Sequence, residues 1–245
     1  MREKEHLSCT VRKMNSNDSL SIRYSQGIGI IAVVIGHYSI KPLDVIQPYV
    51  FHMPLFYFIG GMLFKEKPWF AVIKDISRKH LLYLFYTYII ISIIAISLRE
   101  GLGVWVGQIY PENPVDSLAW AFQHNFHNNN YFLVAWFLFS YAIVSLLCRA
   151  ILKIKPKLLL LLIAILIGYT GMHYAGGLYA VRKIQLLNLA TQVMVGSMFY
   201  LLGYIFRNAV LALKSPYIPV AVVMVLFTMK NHGILFGLGM SWSSY

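Results

Sequence analysis

The stretch from Ile22 to Lys65 reads IRYSQGIGIIAVVIGHYSIKPLDVIQPYVFHMPLFYFIGGMLFK, two apolar segments interrupted by His37 and His52. Ile28 to Ile40 carry no formal charge, and Gly27, Gly29 and Gly36 are small enough to let neighbouring helices approach closely, so the first segment reads as a membrane helix. Eleven residues separate Gln26 from His37. On an α-helix that spacing returns to within about 20° of the same face after a rise of roughly 16 Å, so both polar groups lie on one stripe, with Arg23 nearly on the same side. A polar stripe on such a helix turns toward the bundle interior. The second segment opens Phe51-His52-Met53-Pro54, where proline suits a first helical turn and places His52 at that helix's start. The short connection predicts that His37 and His52 lie near the same side of the membrane.

Composition generalises the reading. Of 245 residues, 58% are hydrophobic and 12% charged, far from soluble usage, and long uncharged runs recur along the chain. The expected fold is all-α: a polytopic transmembrane helix bundle of about seven spans. The formal net charge of +12 would suggest nucleic acid in a soluble domain. Here, however, most Lys and Arg fall in alternate loops, which is the pattern that orients membrane proteins, so no nucleic-acid partner is expected. That pattern puts the N-terminus in the cytoplasm and the loop 99–130 outside. Cys9 and Cys148 have no repeated spacing and indicate neither a disulfide framework nor a thiolate metal site.

Taken in order, residues 1–22 read as a polar cytoplasmic tail and 23–245 as the membrane domain. The spans are expected at about Gly27–Ile40, Tyr49–Phe64, Leu81–Leu98, Tyr131–Cys148, Leu158–Tyr169 (extending toward Ala180), Ile184–Phe206 and Tyr217–Met229. Residues 65–80, KEKPWFAVIKDISRKH, read as a basic loop whose Trp69 and Phe70 enter the interface while Lys74, Arg78 and Lys79 meet lipid phosphates. The loop 99–130 is long enough to be functional. Its Trp120, His124 and amide side chains offer aromatic faces and hydrogen bonds to a sugar, the bland alternative being an interfacial flap. His124 and His127 with Glu112 and Asp116 are a weak metal pattern, and no metal site is assigned.

From Gln26-Gly27 through the aliphatic run to Gly36-His37, then FHMPLFYFIGGMLF, then YFLVAWFL from Tyr131 to Leu138 and LLGYIFRN from Leu201 to Asn208, the chain resembles the integral-membrane acyltransferase family 3. That resemblance implies O-acylation of sugars and related surface molecules with acetyl-CoA, or another acyl-CoA, as donor substrate and no bound cofactor. His37 matches the family's catalytic histidine, Arg78 an arginine that contacts the donor, and Trp136 lies in the family's WFL stretch. The sequence departs from the pattern at Gln26, where Arg or Lys is usual, at Arg23, where Asp is common, and at Gly60-Gly61 in place of Ser-Gly. Family members also run longer, so a chain shortened at its C-terminus is expected.

Acyl transfer to a hydroxyl needs a base, a positioned thioester and donors for the oxyanion. His37 is the candidate base, supported by His52, Gln26 and Arg23, with Arg78, Trp136, Trp120 and His124 as candidate donor or acceptor contacts. The expected function is a membrane O-acyltransferase, acetyl by preference, acting on a cell-surface or lipid-linked sugar in the inner membrane of a bacterium. Membrane lipid, acyl-CoA and a glycan acceptor are its expected partners, and a homo-oligomer is compatible with the sequence. Two alternatives stand beside it: an inactive shortened remnant, and a proton-coupled transporter or flippase whose histidines relay protons. The spans hold no acidic residue and no paired broken helices, which weighs against the transporter.

Overall fold

A computed structural model describes residues 14–37, 52–103 and 135–213, and every regular element among them is helical. Helix α1 spans Ser16–His37 and begins earlier than the hydrophobic pattern alone suggests. The reason is a reciprocal cap. The Asp18 N–H donates to Asn15 Oδ1 at 2.7 Å, and the Asn15 N–H returns a bond to Asp18 Oδ2 at 3.1 Å. Two otherwise orphaned donors are satisfied, so the first turn can form within the stretch read as a tail.

Helix α2 spans His52–Met62. After a turn, Pro68 opens α3, Trp69–Ile76. A π-helical turn, Ser77–Leu81, carries the chain directly into α4, Leu82–Leu102. The stretch expected as a basic loop is therefore largely helix. Trp69, Phe70, Val72 and Ile73 supply an apolar face, and Lys67 bridges forward to Asp75 at 2.5 Å across the first turns. Helix α4 ends where Gly103 adopts φ 62° and donates its N–H to the Arg99 carbonyl at 3.1 Å, a left-handed C-terminal cap that glycine takes without steric cost. The remainder of the loop expected at 99–130 lies outside the described residues.

Helix α5 is Ala135–Ile151 and α6 is Lys157–Thr170. A second π-helical turn, Gly171–Gly176, and a short α7, Gly177–Arg182, prolong α6 as the sequence anticipated. Lys183 then turns the chain at φ 54°, and α8, Gln185–Ala212, returns across the bundle. Among the described residues, three helical stretches are long and apolar enough to cross a membrane: Trp69–Leu102, Lys157–Arg182 and Leu186–Ala212. Met53–Met62 and Trp136–Ile151 are shorter apolar helices. The seventh expected span, 217–229, lies outside the described residues.

Helix α8 is the central member, in contact with α2, α5, α6 and the second π turn. Two glycines set its distance from α2. A Cβ on Gly61 would overlap the Tyr200 carbonyl oxygen, and a Cβ on Gly203 would overlap the Phe58 carbonyl oxygen. Each helix thus presents its bare backbone to the other, the close approach that small residues permit in membrane bundles. The Gly60-Gly61 pair has a local reason here, because a side chain on Gly60 would also strike the Tyr141 ring. Around this seam Tyr57, Val144, Leu160, Val195 and Leu201 form the fully buried centre.

Candidate functional site

The pairing of helix faces fixes which residues share a level. Gly29 of α1 faces Leu55 and Phe56 of α2, whereas Ile22 clusters with Ile59 and Met62, so α1 and α2 run antiparallel. Tyr57 faces Gly196 and Gly61 faces Tyr200 and Tyr204, so α2 and α8 run parallel. Stepping back five residues from the Tyr57–Gly196 contact, about 7.5 Å along each helix, brings His52 level with Thr191. From Gly29, α1 continues to its last residue, His37, which ends roughly one turn beyond that level. Residues 37 and 52 therefore stand at the same end of two antiparallel helices; their imidazoles lie outside the described side chains.

At this level α8 carries three buried polar residues on one face. Asn188, Thr191 and Gln192 are 1%, 1% and 2% exposed, spaced three and four apart in an apolar helix. Thr191 Oγ1 donates to the Leu187 carbonyl at 2.9 Å, and Gln192 Nε2 lies 3.5 Å from Asn188 Oδ1, the outer limit of such a bond. The second π turn lies against them, Gly171 facing Met194 and Val195 and Gly176 facing Thr191. Such turns recur at functional sites because they locally re-aim side chains. Buried amides and a hydroxyl next to an irregular helical turn form a polar belt inside the bundle.

The level of His52 is secured from below. Ser140 Oγ donates to the Phe137 carbonyl at 3.0 Å, which leaves its lone pair to accept from the Tyr57 hydroxyl at 2.6 Å. The Tyr57 ring packs edge-on to Phe137 at 5.1 Å and stacks on Tyr141 at 5.9 Å, fully buried. This ring ties α2 to α5 and α8 one and a half turns from His52.

The other candidates are dispersed. Gln26 is half-buried and Arg23 exposed on the regular helix α1, so Gln26 stands roughly 16 Å of helix rise below residue 37. Arg78 is exposed on the first π turn, where its neighbour His80 lies 5.6 Å from the Tyr141 ring. Trp136 is buried in the apolar core against Phe137, ring centroids 6.1 Å apart. Trp120 and His124 lie outside the described residues, and among those described no three His, Cys, Asp or Glu side chains gather as metal ligands. The sequence reading passed over Asn188, Thr191 and Gln192. Their N-x-x-T-Q spacing puts all three on one face of a span, but only the fold shows that face to be buried.

A family model described as an acyltransferase domain matches residues 19–245. The chain belongs to acyltransferase family 3. The match takes in α1 through α8 and both ends of the bundle, so the family assignment and the apolar helices together describe an integral-membrane acyltransferase. No curated protein and no solved structure matches the chain. Within this acyltransferase the end that holds residues 37 and 52 buries the two amides and the hydroxyl of Asn188, Gln192 and Thr191, whereas the opposite end buries the charged Asp18 and Arg207 and is ringed by Lys65, Lys67, Arg149, Lys153, Lys155 and Lys157.

Proposed function

We propose that the protein moves an acyl group, acetyl by preference, from acyl-CoA to a hydroxyl of a cell-surface or lipid-linked sugar, with His37 as the general base. The family match over residues 19–245 carries this reading. It is supported by the shared level of His52 and the Asn188–Gln192 belt, with residue 37 about one turn beyond. A hydroxyl acceptor needs hydrogen-bonding groups close to the base, and Asn188, Thr191 and Gln192 are the neutral ones buried at this level. Neutral imidazole accepts the hydroxyl proton as the oxygen attacks the thioester carbon; the tetrahedral intermediate collapses with loss of the CoA thiolate, which takes up a proton. His52 supports the base or the acceptor.

The protein sits in the inner membrane of a bacterium, and the concentration of Lys and Arg in alternate loops supports an N-terminus in the cytoplasm and a histidine end turned outward. Acyl-CoA is then on the far side, and Gln26, half-buried midway along α1, lines the route by which the pantetheine arm or acyl group reaches His37. Arg78, on the cationic side, contacts the donor.

The test is transfer of labelled acetyl from acetyl-CoA into glycan or glycolipid by membranes containing the parent chain or His37→Ala at equal abundance. Label from the parent that falls by about 10²-fold or more in the variant is expected for loss of a general base. Equal label from both would remove His37 from the mechanism, and no label from a correctly inserted parent would remove the activity.

A further inference from the structure

At the cationic end a cleft of about 340 Å³ opens between the α2–α3 turn and the α5–α6 turn, lined by Phe64, Glu66, Lys67, Trp69, Arg149 and Lys153, with Leu152 at its base. The cleft is built. Arg149 reaches across from α5 and donates from Nη1 to the Lys67 carbonyl at 2.5 Å and from Nη2 to the Lys65 carbonyl at 2.7 Å, while its guanidinium lies 5.0 Å from the Phe64 ring centroid. Lys153 places its ammonium 5.5 Å from the Trp69 ring centroid. Three cations therefore face one carboxylate, Glu66, around a concavity with an indole on its wall. Lys67 shares its charge with Asp75 at 2.5 Å and Arg149 donates to two backbone carbonyls, which leaves Lys153, its ammonium against the Trp69 ring, as the cation least engaged by hydrogen bonds.

The depth of this cleft follows from α3. Phe70 is 79% exposed and Ile73 54%, beside the partly exposed Trp69, on a helix whose next residues are Lys74 and Asp75. Large apolar side chains next to charges suit the boundary between hydrocarbon and headgroups, with the indole at headgroup level. A cationic concavity at that depth meets phosphodiesters first.

We propose that this cleft binds the phosphate of an anionic phospholipid headgroup, with Lys153 and Arg149 facing the phosphate and Trp69 against the glycerol. The site is separate from the histidine end and does not depend on the acyl-transfer reading. Bound lipid bridges the α2–α3 and α5–α6 turns, which Arg149 already joins from within.

Native mass spectrometry of the full chain, released from detergent holding equal phosphatidylglycerol and phosphatidylcholine with matched acyl chains, tests this. The parent should retain phosphatidylglycerol preferentially, and Lys153→Gln should lower that preference about fivefold, the loss expected for one interfacial cation. Lys155→Gln, on the same turn but outside the cleft, should leave it unchanged. Equal retention of the two lipids, or equal effects of the two substitutions, would overturn the site. Displacement of the lipid by millimolar inorganic phosphate would overturn the assignment to a lipid headgroup and leave a site for soluble phosphate. Unchanged circular dichroism of both variants separates loss of binding from loss of fold.

Discussion

Tyr57 donates its hydroxyl proton to Ser140 Oγ at 2.6 Å, and because Ser140 gives its own proton to the Phe137 carbonyl, the chain of bonds runs one way from α2 into the backbone of α5. Interhelical hydrogen bonds in membranes contribute about 0.6 kcal/mol on average and reach about 1.7. Tyr57→Phe and Ser140→Ala should each destabilise the folded state by about 1 kcal/mol, and the double variant by less than their sum. Unfolding in mixed micelles with all four proteins of the cycle measures it. Strict additivity would show that the two hydroxyls are not coupled.

The seam between α2 and α8 has no room for a methyl group. Gly61→Ala must push aside the Tyr200 carbonyl, and Gly203→Ala the Phe58 carbonyl, at a cost of about 3 kcal/mol each where backbone rather than a flexible side chain has to move. Gly27→Ala, with open space around its position, should instead be neutral or stabilise by about 0.5–1 kcal/mol through helix propensity. Thermal unfolding in detergent distinguishes the two classes, and a Gly61→Ala protein as stable as the parent would mean the helices are further apart.

Arg149 holds two carbonyls of the α2–α3 turn with one planar group. Lysine offers a single ammonium that cannot reproduce that fork, so Arg149→Lys should cost about 1–2 kcal/mol, nearly as much as Arg149→Gln. Protease cleavage between Lys65 and Lys67 provides the readout. Both variants should be cut faster than the parent, and resistance in Arg149→Lys would show that charge alone secures the turn.

For the polar belt the predicted consequence is functional. Gln192→Leu keeps approximate volume and removes the amide that reaches toward Asn188. If the belt binds the acceptor, the variant should raise the acceptor KM about tenfold, corresponding to about 1.4 kcal/mol of lost hydrogen bonding, and leave the donor KM unchanged. Initial rates with each substrate varied in turn decide it. A fall in kcat at constant acceptor KM would move Gln192 out of acceptor binding.

How far the sequence carried depended on what each residue signals by itself. Apolar runs made α2, α4, α5, α6 and α8 legible, and Gly171–Arg182 continued α6 because that stretch, despite three glycines, holds no proline. The short connection between the first two spans showed that residues 37 and 52 stand at one end of a helix pair. The α1 start was missed because the cap between Asn15 and Asp18 lies outside the hydrophobic pattern. α3 was read as loop because its charges outweighed an apolar face only two turns long. The Asn188, Thr191 and Gln192 belt was passed over because burial is a tertiary property: the same three residues on a lipid-edge helix would face headgroups. Nor could spacing alone reveal that Tyr57, an aromatic within an aromatic run, binds Ser140 far along the chain.

The mutual fit of Gly61 and Gly203 also constrains how the protein is made. α2 leaves the ribosome long before the helix it seats against, since α3 through α7 are synthesised between them. During that interval the bare glycine backbone and the Tyr57 hydroxyl have neither α8 nor Ser140 to meet them. Contacts so distant in sequence form late, and the early helix must be sheltered or remain loosely placed until the last partner arrives. Insertion of this protein is thus a waiting process, in which the histidine-bearing helices enter the bilayer ahead of the other described helices and wait for α8 before their packing is complete.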